Sequence, residues 1–361
     1  MKKLTPWQLW AAYGLVAIAC AAVLAWILVP RKDAIKEVAM VKRVENLHRM
    51  GNLYKSKGDF PKALDTFSNA YQYASSGLPK EHTCVQTSLL NLAILEKLMG
   101  NYPASLSNFE ELYALRSKLL GSLSPETLNI RINVATLNFL NGNLMEAEEH
   151  YRAILEARMQ VLGPEDSGTL YSRVHLAWFL RHVNQLEESL TLLDSALAGF
   201  EKYYGEEHQG TILTLLDKAL THISAKDFPS AETCLVRILD IDKRMSVGET
   251  RRLRVQSILA TNYRRMFLFE EALALQETIL EERKRTLGLS HVMTAASFFE
   301  IALTHSAWGN TREAVLALSQ AKMIAYHYLG ESHPWFLQIE EELTRLQGQR
   351  DLLTSRTSGA D

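Results

Sequence analysis

Three histidines stand at matched places in the chain, in Tyr204-Gly-Glu-Glu-His208, Leu287-Gly-Leu-Ser-His291 and Leu329-Gly-Glu-Ser-His333. Imidazoles that recur in one context could ligate a metal. Zinc, however, needs nitrogen donors about 2 Å away, and neighbouring packed helices lie roughly 8–10 Å apart. Equivalent positions on successive elements cannot converge on one ion, so the three read as turn and cap residues. His82 and Cys84 are base and nucleophile by type, but a lone thiol near a histidine is better explained as a core cysteine. The acidic pairs Glu110-Glu111, Glu148-Glu149, Glu187-Glu188 and Glu206-Glu207 could do acid–base work; on helices such pairs are ordinarily solvated faces. Asn101 and Asn143 follow glycines, where a backbone role suffices. The sequence holds no Gly-x-x-x-x-Gly-Lys phosphate loop, Gly-x-Ser-x-Gly elbow or His-Glu-x-x-His. No catalytic residue, cofactor or metal is expected, and the chain reads as a non-enzyme.

The bulk numbers agree. Lys and Arg total 39 against 41 Asp and Glu, a net charge of −2, which is not the basic footprint of a nucleic-acid binder. Cys20, Cys84 and Cys234 are too few and too scattered for a disulfide framework.

Any binding surface must be positioned by a repeat. Gly58-Asp-Phe-Pro-Lys-Ala-Leu64 recurs as Gly100-Asn-Tyr-Pro-Ala-Ser-Leu106, Gly142-Asn-Leu-Met-Glu-Ala-Glu148, Asn184-Gln-Leu-Glu-Glu-Ser-Leu190, Lys226-Asp-Phe-Pro-Ser-Ala-Glu232, Phe267-Leu-Phe-Glu-Glu-Ala-Leu273 and Gly309-Asn-Thr-Arg-Glu-Ala-Val315. The copies are spaced by 42 residues, once by 41, and a period in this range predicts a solenoid. Between copies, apolar residues return every three to four positions, so each repeat reads as two helices, A and B. A glycine ends helix A, and Pro103 is suited to the first turn of helix B. A second motif closes each repeat, where Ser124, Asp166, His208, His291 and His333 are placed to cap the next helix A.

Small residues recur where helix A meets helix B: Gly51, Ala93, Ala135, Ala177, Ala219, Ala260 and Ala302 on one side, Ala63, Ser105, Ala147, Ser189, Ala231, Ala272 and Ala314 on the other. Bulky residues follow the second series: Phe67, Phe109, Tyr151, Leu193, Leu235, Gln276 and Leu318. This pattern resembles the tetratricopeptide repeat. The period and the Leu-Gly-x-x-His-like closure resemble its kinesin-light-chain-like variety. The resemblance spans about 44–330 and departs from the pattern at Lys218 and Phe267. It implies an all-α, right-handed solenoid of about seven helix-turn-helix repeats over 44–331, with a capping helix at 332–353 and a disordered tail at 354–361.

Residues 7–29 carry no charged side chain. As a helix they reach about 35 Å, enough for a bilayer core of roughly 30 Å. A tail (1–6), a transmembrane anchor (7–29) and a linker or helical extension (30–43) are therefore expected to precede the solenoid. A signal peptide or a lipoprotein site at Cys20 fits less well, because the apolar run continues beyond either cut. The expected localisation is single-pass in a bacterial cytoplasmic (inner) membrane, contacting the bilayer through 7–29. The side on which the repeats lie is left open by Arg31, Lys32 and Lys36 against Lys2 and Lys3.

The resemblance further implies that the helix A faces form a concave groove for a protein or peptide. Asn91, Asn133, Tyr171, Trp178, Arg181, Arg264 and Arg265 are the candidate partner-binding residues, along with aliphatics such as Leu220. The arginines are the stronger candidates, because a core would not choose them. Reversing Arg264 and Arg265 together is expected to weaken binding without unfolding the chain. The expected function is a membrane-tethered scaffold or adaptor. A chaperone-like assembly factor is the alternative, an enzyme with an unrecognised site comes behind it, and self-association is a further reading.

Overall fold

The computed structural model describes residues 34–245, 248–331 and 333–357. Seven helix-turn-helix pairs follow one another: α1 (34–56) with α2 (Phe60–Ser75), α3 (Thr83–Leu98) with α4 (Tyr102–Leu120), α5 (Pro125–Leu140) with α6 (Leu144–Leu162), α7 (Ser167–His182) with α8 (Leu186–Tyr204), α9 (Gln209–Ser224) with α10 (Phe228–Met245), α11 (Glu249–Arg265) with α12 (Phe269–Leu287), and α13 (Val292–Trp308) with α14 (Thr311–Leu329). A last helix, α15 (Pro334–Thr357), packs on α14. The contacts divide into two compact bodies, one ending at Val161 and one beginning at Leu162.

The recurring residues explain the recurring form. Gly100 takes φ of +78°, in the left-handed region, and Asn101 N–H then donates back to the Glu96 carbonyl at 2.9 Å. Phe267 adopts the same conformation (φ 62°) without being glycine, at a cost of roughly 1–2 kcal/mol. At the opposite end of the pairs, side chains cap the A helices. Ser124 accepts from Thr127 N–H, Asp166 from Gly168 N–H and His208 from Gly210 N–H. His291 and His333 accept through Nδ1, from Met293 N–H and Trp335 N–H. His82 caps α3 in the same way, which gives the His82–Cys84 pair a structural task.

The two small series meet in both bodies. Ser105 Oγ donates to the Ala93 carbonyl at 2.7 Å, and Ser189 Oγ to the Ala177 carbonyl at 2.8 Å. Such contacts need helix axes too close for larger side chains. The bulky series fills the space alongside: Phe67, Phe109, Leu193, Leu235 and Leu318 are fully buried. Lys218, which departs from the apolar pattern, reaches outward to Asp194 at 2.6 Å and keeps its charge in water while its stem packs.

The expected transmembrane helix, and the single-pass membrane localisation that rested on it, are corrected. Among the described residues no helix is long and apolar enough to cross a membrane. The helices carry polar and charged residues along their exposed sides, because a solenoid helix has to meet water. Residues 7–29, which prompted the expectation, lie outside the described residues. The fold class is an all-α solenoid of helix pairs.

Candidate partner-binding groove

In the second body, α9, α11 and α13 are the A helices of three successive repeats. On α11 the residues Leu253, Arg254, Ser257, Ile258, Thr261 and Arg265 recur at three- and four-residue spacing and so share one face. Leu220 and Ile223 of α9 flank that face on one side, and Met293, Ala296 and Glu300 of α13 on the other. The end of α12, from Arg283 to Leu287, contributes the floor. Together they enclose a groove of about 860 Å³, walled mainly by apolar atoms.

The charges in the groove are unbalanced. Its two carboxylates are already engaged: Glu249 accepts from Arg285 at 2.7 Å, and Glu300 lies 3.3 Å from the Arg264 guanidinium. Arg254 and Arg265 are exposed, and neither makes an ion pair among the described residues. Arg283 is buried beneath them. Its Nη1 donates to the Met293 carbonyl at 3.2 Å and to Ser297 Oγ at 2.8 Å, and its Nη2 to Ser257 Oγ at 3.4 Å. Burial pulls the pKa of Arg283 below its usual value, with Glu300 opposing. The groove is thus apolar along its walls and positive in balance.

The tetratricopeptide repeat family model matches residues 43–118, 84–160, 174–244 and 251–325, well over half of the chain. The chain belongs to the tetratricopeptide repeat family. Its repeats are protein–protein interaction modules, and the fold is in general a non-catalytic binding scaffold. Among solved structures, the kinesin-light-chain TPR-like repeats of Podosopora anserina are 24% identical, with a TM-score of 0.53 over 57% of this chain and 98% of that one. A tetratricopeptide repeat protein from Parabacteroides merdae is 16% identical, with a TM-score of 0.53 over 85% of this chain and 99% of that one. A signal-transduction ATPase with a tetratricopeptide repeat sensor, from Pyrococcus horikoshii, is 14% identical, with a TM-score of 0.56 over 88% of this chain and 46% of that one. At these identities the likeness is one of fold. No curated protein matches the chain.

The structure distributes the sequence candidates of this tetratricopeptide repeat protein unevenly. Leu220 and Arg265 line the groove. Arg264, next in sequence, points between α11 and α13 toward Glu300, and its side chain is 18% exposed. Burial pulls its pKa down, against the raising effect of Glu300. Tyr171, Trp178 and Arg181 lie on α7. Tyr171 is half-buried, edge-on to Phe200 at 5.0 Å, and Trp178 lies against His182 at 4.3 Å. Arg181 reaches Asp217 of α9 at 3.6 Å; burial lowers the pKa of Arg181 and raises that of Asp217. Asn91 and Asn133 belong to the first body. Asn91 is half-buried on α3, while Asn133 accepts from Lys97 at 2.7 Å and donates to the Asn129 carbonyl. Its amide is therefore held by its own helices.

Arg254, Arg283 and Glu300 are groove residues that the sequence reading did not single out. For Arg283 a signal existed. The repeat register aligns it with Ala74, Arg116, Arg158, Phe200, Asp242 and Ala325, so a position that packs as an alanine or phenylalanine in some repeats carries charge in others.

Proposed function

We propose that this protein is a scaffold or adaptor that docks a partner segment in the α9–α11–α13 groove. The observation that carries this reading is the groove itself: an apolar trough whose acids are neutralised internally while Arg254 and Arg265 remain exposed. Burying apolar side chains supplies most of the binding energy, roughly 25 cal/mol per Å² removed from water. Charge complementarity then favours a segment that carries an acidic residue among apolar ones. Hot spots of this kind often centre on arginine.

The test is photo-crosslinking in cells, with the full-length protein carrying a photoreactive residue at Thr261 in the groove or at Thr278 on α12. Adducts from Thr261 and not from Thr278, lost when Arg265→Glu is added, support the reading. Equal adducts from both positions refute it. One dominant adduct identifies an adaptor, whereas a broad smear of many proteins identifies the chaperone-like alternative.

A further inference from the structure

Gln276 occupies a core position of α12 that the other repeats fill with Phe67, Phe109, Tyr151, Leu193, Leu235 and Leu318. It is as deeply placed as they are, only 4% exposed. Yet among the described residues neither its Oε1 nor its Nε2 has a hydrogen-bond partner. An unpaired buried polar group is costly, and a leucine here would incur no such penalty. The amide faces a chamber of about 20 Å³ lined also by Ser257, Ile279, Arg283, Ser297 and Glu300. Ser257, Arg283 and Glu300 line the groove as well, so the chamber is a well in the groove floor.

The groups in the well restrict what can enter it. Arg283 is committed to Met293, Ser297 and Ser257. The Glu300 carboxylate faces the Arg264 guanidinium. What stays open is the planar amide of Gln276, with its two N–H groups and its carbonyl, together with Glu300 Oε2, which is buried without a hydrogen-bond partner among the described residues. A carboxylate would accept from Nε2 but set its second oxygen against Gln276 Oε1 and against Glu300. An ammonium would satisfy Oε1 and face Glu300, but it would leave Nε2 without an acceptor and meet the Arg283 guanidinium. A carboxamide satisfies both atoms at once, its carbonyl accepting from Nε2 and its N–H donating to Oε1, with no net charge to desolvate. The chamber is somewhat larger than the roughly 10–15 Å³ that one water needs. At that size it admits at most the small polar tip of a side chain whose stem lies in the groove.

We propose, resting on the reading of the groove as the docking face, that this well is a subsite for an Asn or Gln side chain of the partner segment. An apolar groove alone selects weakly between hydrophobic segments. A buried group that must be hydrogen-bonded rejects segments unable to do so. The polar substitution in an otherwise apolar core position thus serves specificity at the expense of stability.

The experiment uses the full-length protein and fluorescein-labelled Ala/Leu host peptides, each with one aspartate, identical except for a central Gln, Asn, Glu, Lys or Leu. Binding is read by fluorescence anisotropy. The Gln or Asn peptide is expected to bind at least roughly tenfold more tightly than the other three. In Gln276→Leu, and in Gln276→Met as a second variant, that preference disappears while the far-UV circular dichroism is retained and the melting temperature rises. Equal affinities across the peptides, preference for Glu, or a Gln preference that survives Gln276→Leu would each overturn the subsite. Binding of none of them also overturns it; the groove reading stands or falls separately on the Thr261 crosslinks.

Discussion

Adjacent arginines on α11 allow fold and recognition to be separated by one substitution made twice. Arg264 is 18% exposed and lies 3.3 Å from Glu300, whose side chain is 39% exposed. Arg265 is exposed on the groove wall. Two unit charges about 4 Å apart attract by roughly 4 kcal/mol at an effective dielectric near 20. Solvent at Glu300 screens part of that, and burial of the guanidinium offsets more. Arg264→Glu replaces attraction by repulsion, so a destabilisation of about 2–3 kcal/mol is expected, smaller at high salt. Arg265→Glu loses no ion pair and should stay within about 0.5 kcal/mol of the parent. Urea unfolding of each variant, followed by far-UV circular dichroism at low and high salt, measures both. Partner capture should show the inverse order, with stably folded Arg265→Glu defective. Equal unfolding midpoints for the two variants would refute the assignment of Arg264 to the protein interior. The simultaneous reversal suggested by sequence confounds the two effects, because only one of the pair faces the groove.

Two further outcomes probe the framework. His48 donates to or accepts from Ser88 at 2.8 Å between α1 and α3, and burial lowers its pKa against the opposing Glu45; burial likewise lowers His150, His222 and His305. An unfolded histidine titrates near 6.5, so the stability these neutral rings contribute is complete above about pH 6.5 and falls as pH drops below it; urea midpoints that stay flat or rise on acidification would contradict this. In Gly210→Ala the new Cβ would lie 2.3–2.6 Å from atoms of the fully buried Phe200 ring, an overpacking expected to cost roughly 1–3 kcal/mol. Phe200→Leu should relieve part of that cost, and strict additivity in the double-mutant cycle would show that the contact is not tight.

Most of the solenoid was legible because its determinants are local and repeated. The turn residues (glycine in four copies, with Asn184, Lys226 and Phe267 taking the same left-handed conformation in the other three), the capping residues and the small pairs Ala93–Ser105 and Ala177–Ser189 recur along the chain, so the copies vouch for one another. The apolar run at 7–29 had no such support, since a single hydrophobic stretch admits several readings. The groove was half legible. A repeat phase identifies which helix faces a common side, and Leu220 and Arg265, both named from it, line the groove. It does not say whether a side chain on that helix turns into the groove or toward the next helix. Arg264 is half-buried and Arg265 open because a step of one residue on a helix rotates the side chain by about 100°, and that decides between Glu300 and solvent.

Repetition also makes departures from the pattern informative. Where the backbone environment is the same in seven places, a residue the fold does not need stands out against six controls. The α12 position filled by aromatic or aliphatic residues elsewhere holds Gln276, and the register that holds Arg283 carries Ala74, Phe200 and Ala325 in three repeats and Arg116, Arg158 and Asp242 in the other three. Both are buried and face one well. Gln276 is not required by helix packing, since the same packing is achieved without it in the six other repeats. A leucine at one and an alanine at the other would remove the desolvation cost of the pair. The polar intrusion at Gln276, set beside Arg283 beneath the same apolar groove, is the departure from the repeat pattern that the proposed recognition of a carboxamide would account for.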